Sequence, residues 1–251
     1  DLGLAWFASA GCYSAPYSCG DATGLALLAL LEKRPAADAD SQGYAGASEA
    51  DKTRMRSTVR YIINQVNAQG TSFYSYRDGG YMMALSVYMR TGGVDKDDGP
   101  TSELDGAPLT LKQTLDTVFD RIIANQMKNN PDSSLPYPAN NGYWCYTGPG
   151  CKDSSTTQFA VAGLAAAKSF YTSGKSGDDA FNDAGRAASV DTALALSRQS
   201  NELNAYVGSD NASCFTLSAT ERGHGYNANF GSVGGYRPSL QQTASGVYIQ
   251  L

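Results

Sequence analysis

Apolar and polar positions along this chain fall into two kinds of helical stretch that take turns. Residues 22–33 carry almost no charge before Glu32 and Lys33, which predicts a helix buried on every side. Residues 48–68 instead place Met55, Val59, Ile62, Ile63 and Val66 on one stripe and Lys52, Arg54, Arg56 and Arg60 away from it, the signature of a half-exposed helix. The alternation continues with an apolar helix at residues 80–90 and an amphipathic one at 109–129. A helix of small residues at 154–171 and a mixed one at about 178–199 complete the series. Buried inner helices thus alternate with amphipathic outer ones, and period-two strand patterning is confined to short pieces within residues 206–237. Residues 1–10 read as the end of a helix or an apolar lead-in that sets Trp6 and Phe7 against the first repeat.

The turns that lead into the inner helices repeat. CYSAPYSCGDATGLALLALL (residues 12–31) and CYTGPGCKDSSTTQFAVAGL (145–164) share Cys-Tyr, a hydroxyl residue, a Pro, a second Cys, an Asp and then a helix. YSYRDGGYMMALSVYMRTGG (74–93) keeps the Tyr and the Asp without the cysteines, and GGYRPSLQQTASGVYIQL (234–251) opens a fourth copy. The outer helices carry a marker of their own, RYIINQ at 60–65 and RIIANQ at 121–126, with ALSRQ at 195–199 in a comparable place. Units that each need a neighbour to cover an apolar face make one array, so the expectation is a single all-α repeat domain over residues 1–251, stopping inside a further repeat.

Charge narrows the function. The net charge is −5 with no Lys/Arg cluster, which removes nucleic acid as a partner. The longest apolar run, Leu25 to Leu31, is too short to be a transmembrane segment. Of the five cysteines, Cys12 with Cys19 and Cys145 with Cys151 close short loops at equivalent repeat positions, which reads as two local disulfides made outside the cytoplasm, extracellular or periplasmic. Zinc competes for these cysteines, but the spacings exceed the usual two to four intervening residues and His224 stands alone, so no metal and no cofactor is expected. Cys214 is left over, and Asn211-Ala212-Ser213 is an N-glycosylation acceptor pattern.

An outer-helix Gln, the Gly142-Tyr143-Trp144 turn and Asp-Ser-Ser-Thr-Thr-Gln-Phe-Ala ahead of an inner helix resemble the prenyltransferase and squalene oxidase repeat superfamily, the terpenoid cyclase-like group. The resemblance implies an α/α toroid, partial or complete, of inner and outer helices paired as helical hairpins. The chemistry of that superfamily is poorly matched. Asp95-Lys96-Asp97-Asp98 has the letters of a protonating cyclase motif but lies between glycines in a polar loop, so an exposed acidic turn is expected. One histidine does not make a protein prenyltransferase zinc set. Cys19-Gly20-Asp21-Ala22 lacks the Gln of a thioester.

What remains is a set of carboxylates and aromatic rings. Asp21, Asp78 and Asp153 precede successive inner helices, so in a toroid they would share one mouth with Tyr74, Tyr76, Trp144 and Tyr146, a lining suited to a sugar. The same three positions suit plain helix caps, as Gln65, Gln126 and Gln199 suit ties between linkers and helix ends. The sequence therefore points first to an extracytoplasmic binding or structural module, recognising a glycan or assembling with copies of itself or a surface complex. The alternative is an enzyme on that scaffold, a polysaccharide lyase or hydrolase ahead of a terpene cyclase relative, with the three aspartates as its catalytic candidates. Thiol titration of the denatured, unreduced chain is expected to find one free thiol at most; three or more would remove the paired loops.

Overall fold

A computed structural model describes residues 2–100, 103–128, 141–174, 181–203, 206–207, 222–226 and 240–250. The described residues are helical apart from loops and one ladder of two-residue strands, β1 (Tyr206–Val207) antiparallel to β2 (Arg222–Gly223). Eight α-helices are described: α1 (Leu2–Ser9), α2 (Thr23–Leu31), α3 (Glu49–Gln69), α4 (Ser75–Arg90), α5 (Leu111–Ala124), α6 (Ser154–Ser173), α7 (Ala184–Leu203) and α8 (Leu240–Gln250). None is long and apolar enough to cross a membrane. The chain forms two compact units. The first comprises Asp1–Ser72, Tyr76–Arg121 and Gly163–Ala187, and the second Phe73–Ser75, Ile122–Ala162 and Ala188–Leu251.

In the first unit α3 shows why the outer stretches fold as they do. Ser48 accepts the amide of Asp51 at 3.2 Å, and Glu49 and Asp51 face the positive end of the helix. Its stripe Met55, Val59, Ile62, Ile63 and Val66 is wholly buried. The stripe of α5, Leu111, Leu115, Val118 and Phe119, is buried in the same way.

The inner helices α2, α4 and α6 meet differently, through glycine. A Cβ added to Gly24 of α2 would lie 2.5 Å from the carbonyl carbon of Gly80 in α4, and one added to Gly163 of α6 would lie 3.1 Å from the carbonyl oxygen of Gly79. Backbones therefore touch where other helices interpose side chains, and α4 lies against α2 on one side and α6 on the other.

Two expectations change. The third helix begins at Ser75 rather than Gly80, because Gly79 and Gly80 occupy close crossings and do not break it. The first stretch is the helix α1, but Trp6 does not seat on the first repeat: it is 63% exposed, and half-buried Phe7 makes the edge contact with Tyr13, at 6.4 Å between centroids.

The crossing is asymmetric, which gives a paired test. A methyl at Gly24 collides with backbone, whereas one at Gly80 meets only Leu25 at 3.7 Å. Gly24→Ala is expected to cost about 1–3 kcal/mol by urea denaturation, and Gly80→Ala to be neutral or to gain up to about 1 kcal/mol from helix propensity. Equal losses at both positions would contradict this packing.

Candidate functional site

In the second unit, the N-terminus of α6 gathers polar side chains from four parts of the chain. Asp153, 2% exposed, caps the helix: one carboxylate oxygen accepts the amide of Ser155 at 2.7 Å, the Ser155 hydroxyl at 2.6 Å and the amide of Thr156 at 3.1 Å. The turn before it is held by Gly142, whose φ of +80° favours glycine and whose missing Cβ leaves room for the Leu196 carbonyl. This turn delivers Trp144 to the helix start, where the Thr156 hydroxyl donates to the Trp144 carbonyl at 2.6 Å and Thr157 accepts the Trp144 amide.

Trp144 is 0% exposed and its indole N–H donates to the Ile122 carbonyl at 2.7 Å. It packs beneath the turn and offers no face to a ligand. Immediately after it the sulfurs of Cys145 and Cys151 stand at disulfide distance, with Cα atoms 5.0 Å apart. Their loop carries Tyr146, which is 37% exposed and whose carbonyl accepts the amide of Ser75 at 2.9 Å. That bond sets half-buried Tyr74, one residue earlier, beside the loop.

Residues 222–226 close over the same place. The Ser154 amide donates to the Tyr226 carbonyl at 3.0 Å, the Ser154 hydroxyl bonds to Gln242 of α8, and the His224 amide donates to the Thr243 hydroxyl. The His224 ring rests on Gly246, where any Cβ would collide with it, and burial pushes its pKa down. The outcome is a chain of oxygens at the surface. The hydroxyls of Tyr146 and Tyr226 are 2.5 Å apart, the Ser155 hydroxyl lies 3.4 Å from that of Tyr226, and Ser155 in turn is held on the Asp153 carboxylate. The bond to Tyr226 first, then burial, then Asp153 raise the Tyr146 pKa, so its phenol is protonated at neutral pH.

The structure thus brings Tyr74, Trp144, Tyr146 and Asp153 to one place and adds Ser155, Tyr226 and Gln242. The hydrogen bonds that add Tyr226 and Gln242 span 71 to 88 positions, beyond the reach of any local pattern.

Asp21, Asp78 and Tyr76 belong to the first unit. Asp21 is exposed and caps nothing; Thr23 makes the local bonds instead, donating to the carbonyls of Gly20 and Pro16. Asp78 is 0% exposed inside α4, held by Arg77 at 3.0 Å and Arg121 at 3.5 Å. Arg121 also donates to the carbonyls of Val66 and Gly70 at the end of α3, so this buried group ties helices together. Tyr76 is half-buried. Cys12 and Cys19 stand at disulfide distance, their Cα atoms 5.2 Å apart. Of the repeated glutamines, Gln126 bonds the Ala193 carbonyl at 2.8 Å, Gln65 accepts from Gln69 within α3, and Gln199 is exposed. Cys214 and Asn211 lie outside the described residues.

The acidic turn is corrected in part. Asp97 and Asp98 are exposed, but Asp95 is 7% exposed, because its carboxylate accepts the first amide of α5, that of Leu111, at 3.0 and 3.1 Å, and the amide of Lys96 at 2.7 Å. It is a helix cap reached from a distance. Among the described residues no three His, Cys, Asp or Glu side chains are grouped to hold a metal. No family model, curated protein or solved structure matches the chain.

Burial raises the Asp95 pKa, so the folded protein binds its proton more tightly than the unfolded chain. Its contribution to stability is therefore full below the ordinary carboxyl range, near pH 4, and is lost as pH rises through the higher folded value. Asp95→Asn, which keeps a carbonyl for Leu111, is expected to gain on wild type over that rise in urea midpoints. Parallel profiles for the two proteins would refute it.

Proposed function

We propose that this chain is a binding module working outside the cytoplasm, built as an α/α toroid of helical hairpins related to the prenyltransferase and squalene oxidase repeat group, with a glycan as its ligand. The observation that carries the ligand is Tyr146, an exposed ring whose hydroxyl begins a chain through those of Tyr226 and Ser155 to the carboxylate of Asp153. A sugar presents an apolar face to stack on such a ring and hydroxyls that exchange bonds with such oxygens. Two cysteine pairs at disulfide distance support the compartment. The contact of α2, α4 and α6 in chain order supports the hairpin array.

Binding is favoured over catalysis by the state of the candidate groups. A lyase needs a tyrosine near its phenolate form, and the Tyr146 phenol is pushed the other way. A retaining or inverting hydrolase needs two carboxyls facing one bond, yet Asp78 is buried against two arginines and Asp153 is committed to its helix. A cyclase acid needs a free proton to donate into an apolar cavity, and Asp95 is occupied by backbone amides.

On a glycan array, wild type is expected to retain a distinct subset of sugars, and Tyr146→Ala to weaken them about three- to tenfold, the worth of one aromatic contact. Because this side chain is at the surface, circular dichroism should not change. An array on which wild type binds nothing, or on which the variant binds equally, would reject the reading.

A further inference from the structure

We propose that Tyr146 and Tyr226 form a modification site, a tyrosine pair that one-electron oxidation joins into an intramolecular dityrosine. The two hydroxyls touch at 2.5 Å although the residues stand 80 positions apart. Both backbones are fixed: Tyr226 by the amide of Ser154 on its carbonyl, Tyr146 by the amide of Ser75 and by the Cys145–Cys151 loop. The ring carbons that couple are those next to the carbon bearing the hydroxyl. Hydroxyl contact therefore leaves only a tilt of the exposed Tyr146 ring, a side-chain motion of picoseconds to nanoseconds.

The chemistry balances with peroxide and a haem peroxidase as oxidant, the kind of reagent an oxidising compartment can hold. Each phenol gives up one electron and one proton; the two radicals form a carbon–carbon bond; and the hydrogen on each joined carbon moves to its oxygen, restoring both phenols. Hydrogen peroxide takes the two electrons and two protons and leaves as two waters. The Tyr146 phenol stays protonated at neutral pH, so electron and proton must leave together, the proton passing to water at this exposed ring. The product would be a third staple. It closes a loop of 80 positions where the cysteine pairs close 7 and 6, so it restrains far more of the unfolded chain.

The test treats the full chain with a haem peroxidase and limiting hydrogen peroxide. The expected product is a monomer lighter by two hydrogens, with dityrosine fluorescence, a digest in which the peptides of Tyr146 and Tyr226 are linked, and a higher Tm. Its yield should not change on dilution, since the pair is held at high effective concentration. Tyr226→Phe should abolish the monomeric product and leave only dimers through rings such as Tyr17, 71% exposed, which dilution suppresses. A wild type that gives only dimers, a link between other tyrosines, or an unchanged monomeric product in Tyr226→Phe would each overturn the proposal.

Discussion

Backbone-to-backbone contact between inner helices sets the terms for the first unit. At Gly24 the closest neighbour is the peptide of Gly80, and at Gly163 it is the peptide of Gly79. Helices that approach this closely cannot carry long side chains at the crossing itself, which accounts for Gly24 in α2, Gly79 and Gly80 in α4 and Gly163 in α6. Large apolar burial is shared: α3 and α5 close their stripes of Ile, Val, Leu and Met to water, while α2 buries Leu27, Leu30 and Leu31 and α4 buries Met82, Leu85 and Met89 beside the glycine crossings.

One repeated letter has come to do three jobs. Asp153 caps α6 with its carboxylate, as an acidic residue ahead of a helix should. Asp78 is swallowed by its helix, which starts earlier than its glycines suggest, and must then be neutralised by Arg77 and Arg121; removing one partner of such a buried group costs about 3–5 kcal/mol. Asp21 is left in water, and the Thr23 hydroxyl ties the turn by donating to the carbonyls of Pro16 and Gly20. Meanwhile α5 is capped by Thr110 in a reciprocal pair with Gln113, and Asp95, from a distant turn, adds an acceptor for the amide of Leu111. Position in a repeat predicts the kind of turn. It does not predict which side chain will satisfy the helix end.

The polar cluster of the second unit has a comparable history. Its foundation is local: Gly142 fixes the turn, Trp144 fills the space beneath it, and the cysteine loop holds Tyr146 outward. Its upper half comes from residues 222–226 and from α8, which contribute Tyr226 and Gln242 through bonds to Ser154 and Ser155. The result is an exposed aromatic ring backed by hydroxyls and a carboxylate, the arrangement on which the proposal of a sugar ligand rests.

Periodicity alone determined that this chain is helical, which stretches are amphipathic, where Ser48 starts a helix, and which cysteines lie at pairing distance. These follow from interactions within a few residues, where spacing in sequence is spacing in space. Only the tertiary structure decided that Trp144 is interior and Trp6 exterior, that Gly79 and Gly80 are crossing points inside a helix, that Asp95 is buried, and that Tyr226 meets Tyr146. Those outcomes are settled by contacts beyond the reach of local pattern, and a side chain's environment is set by whatever the rest of the chain brings against it.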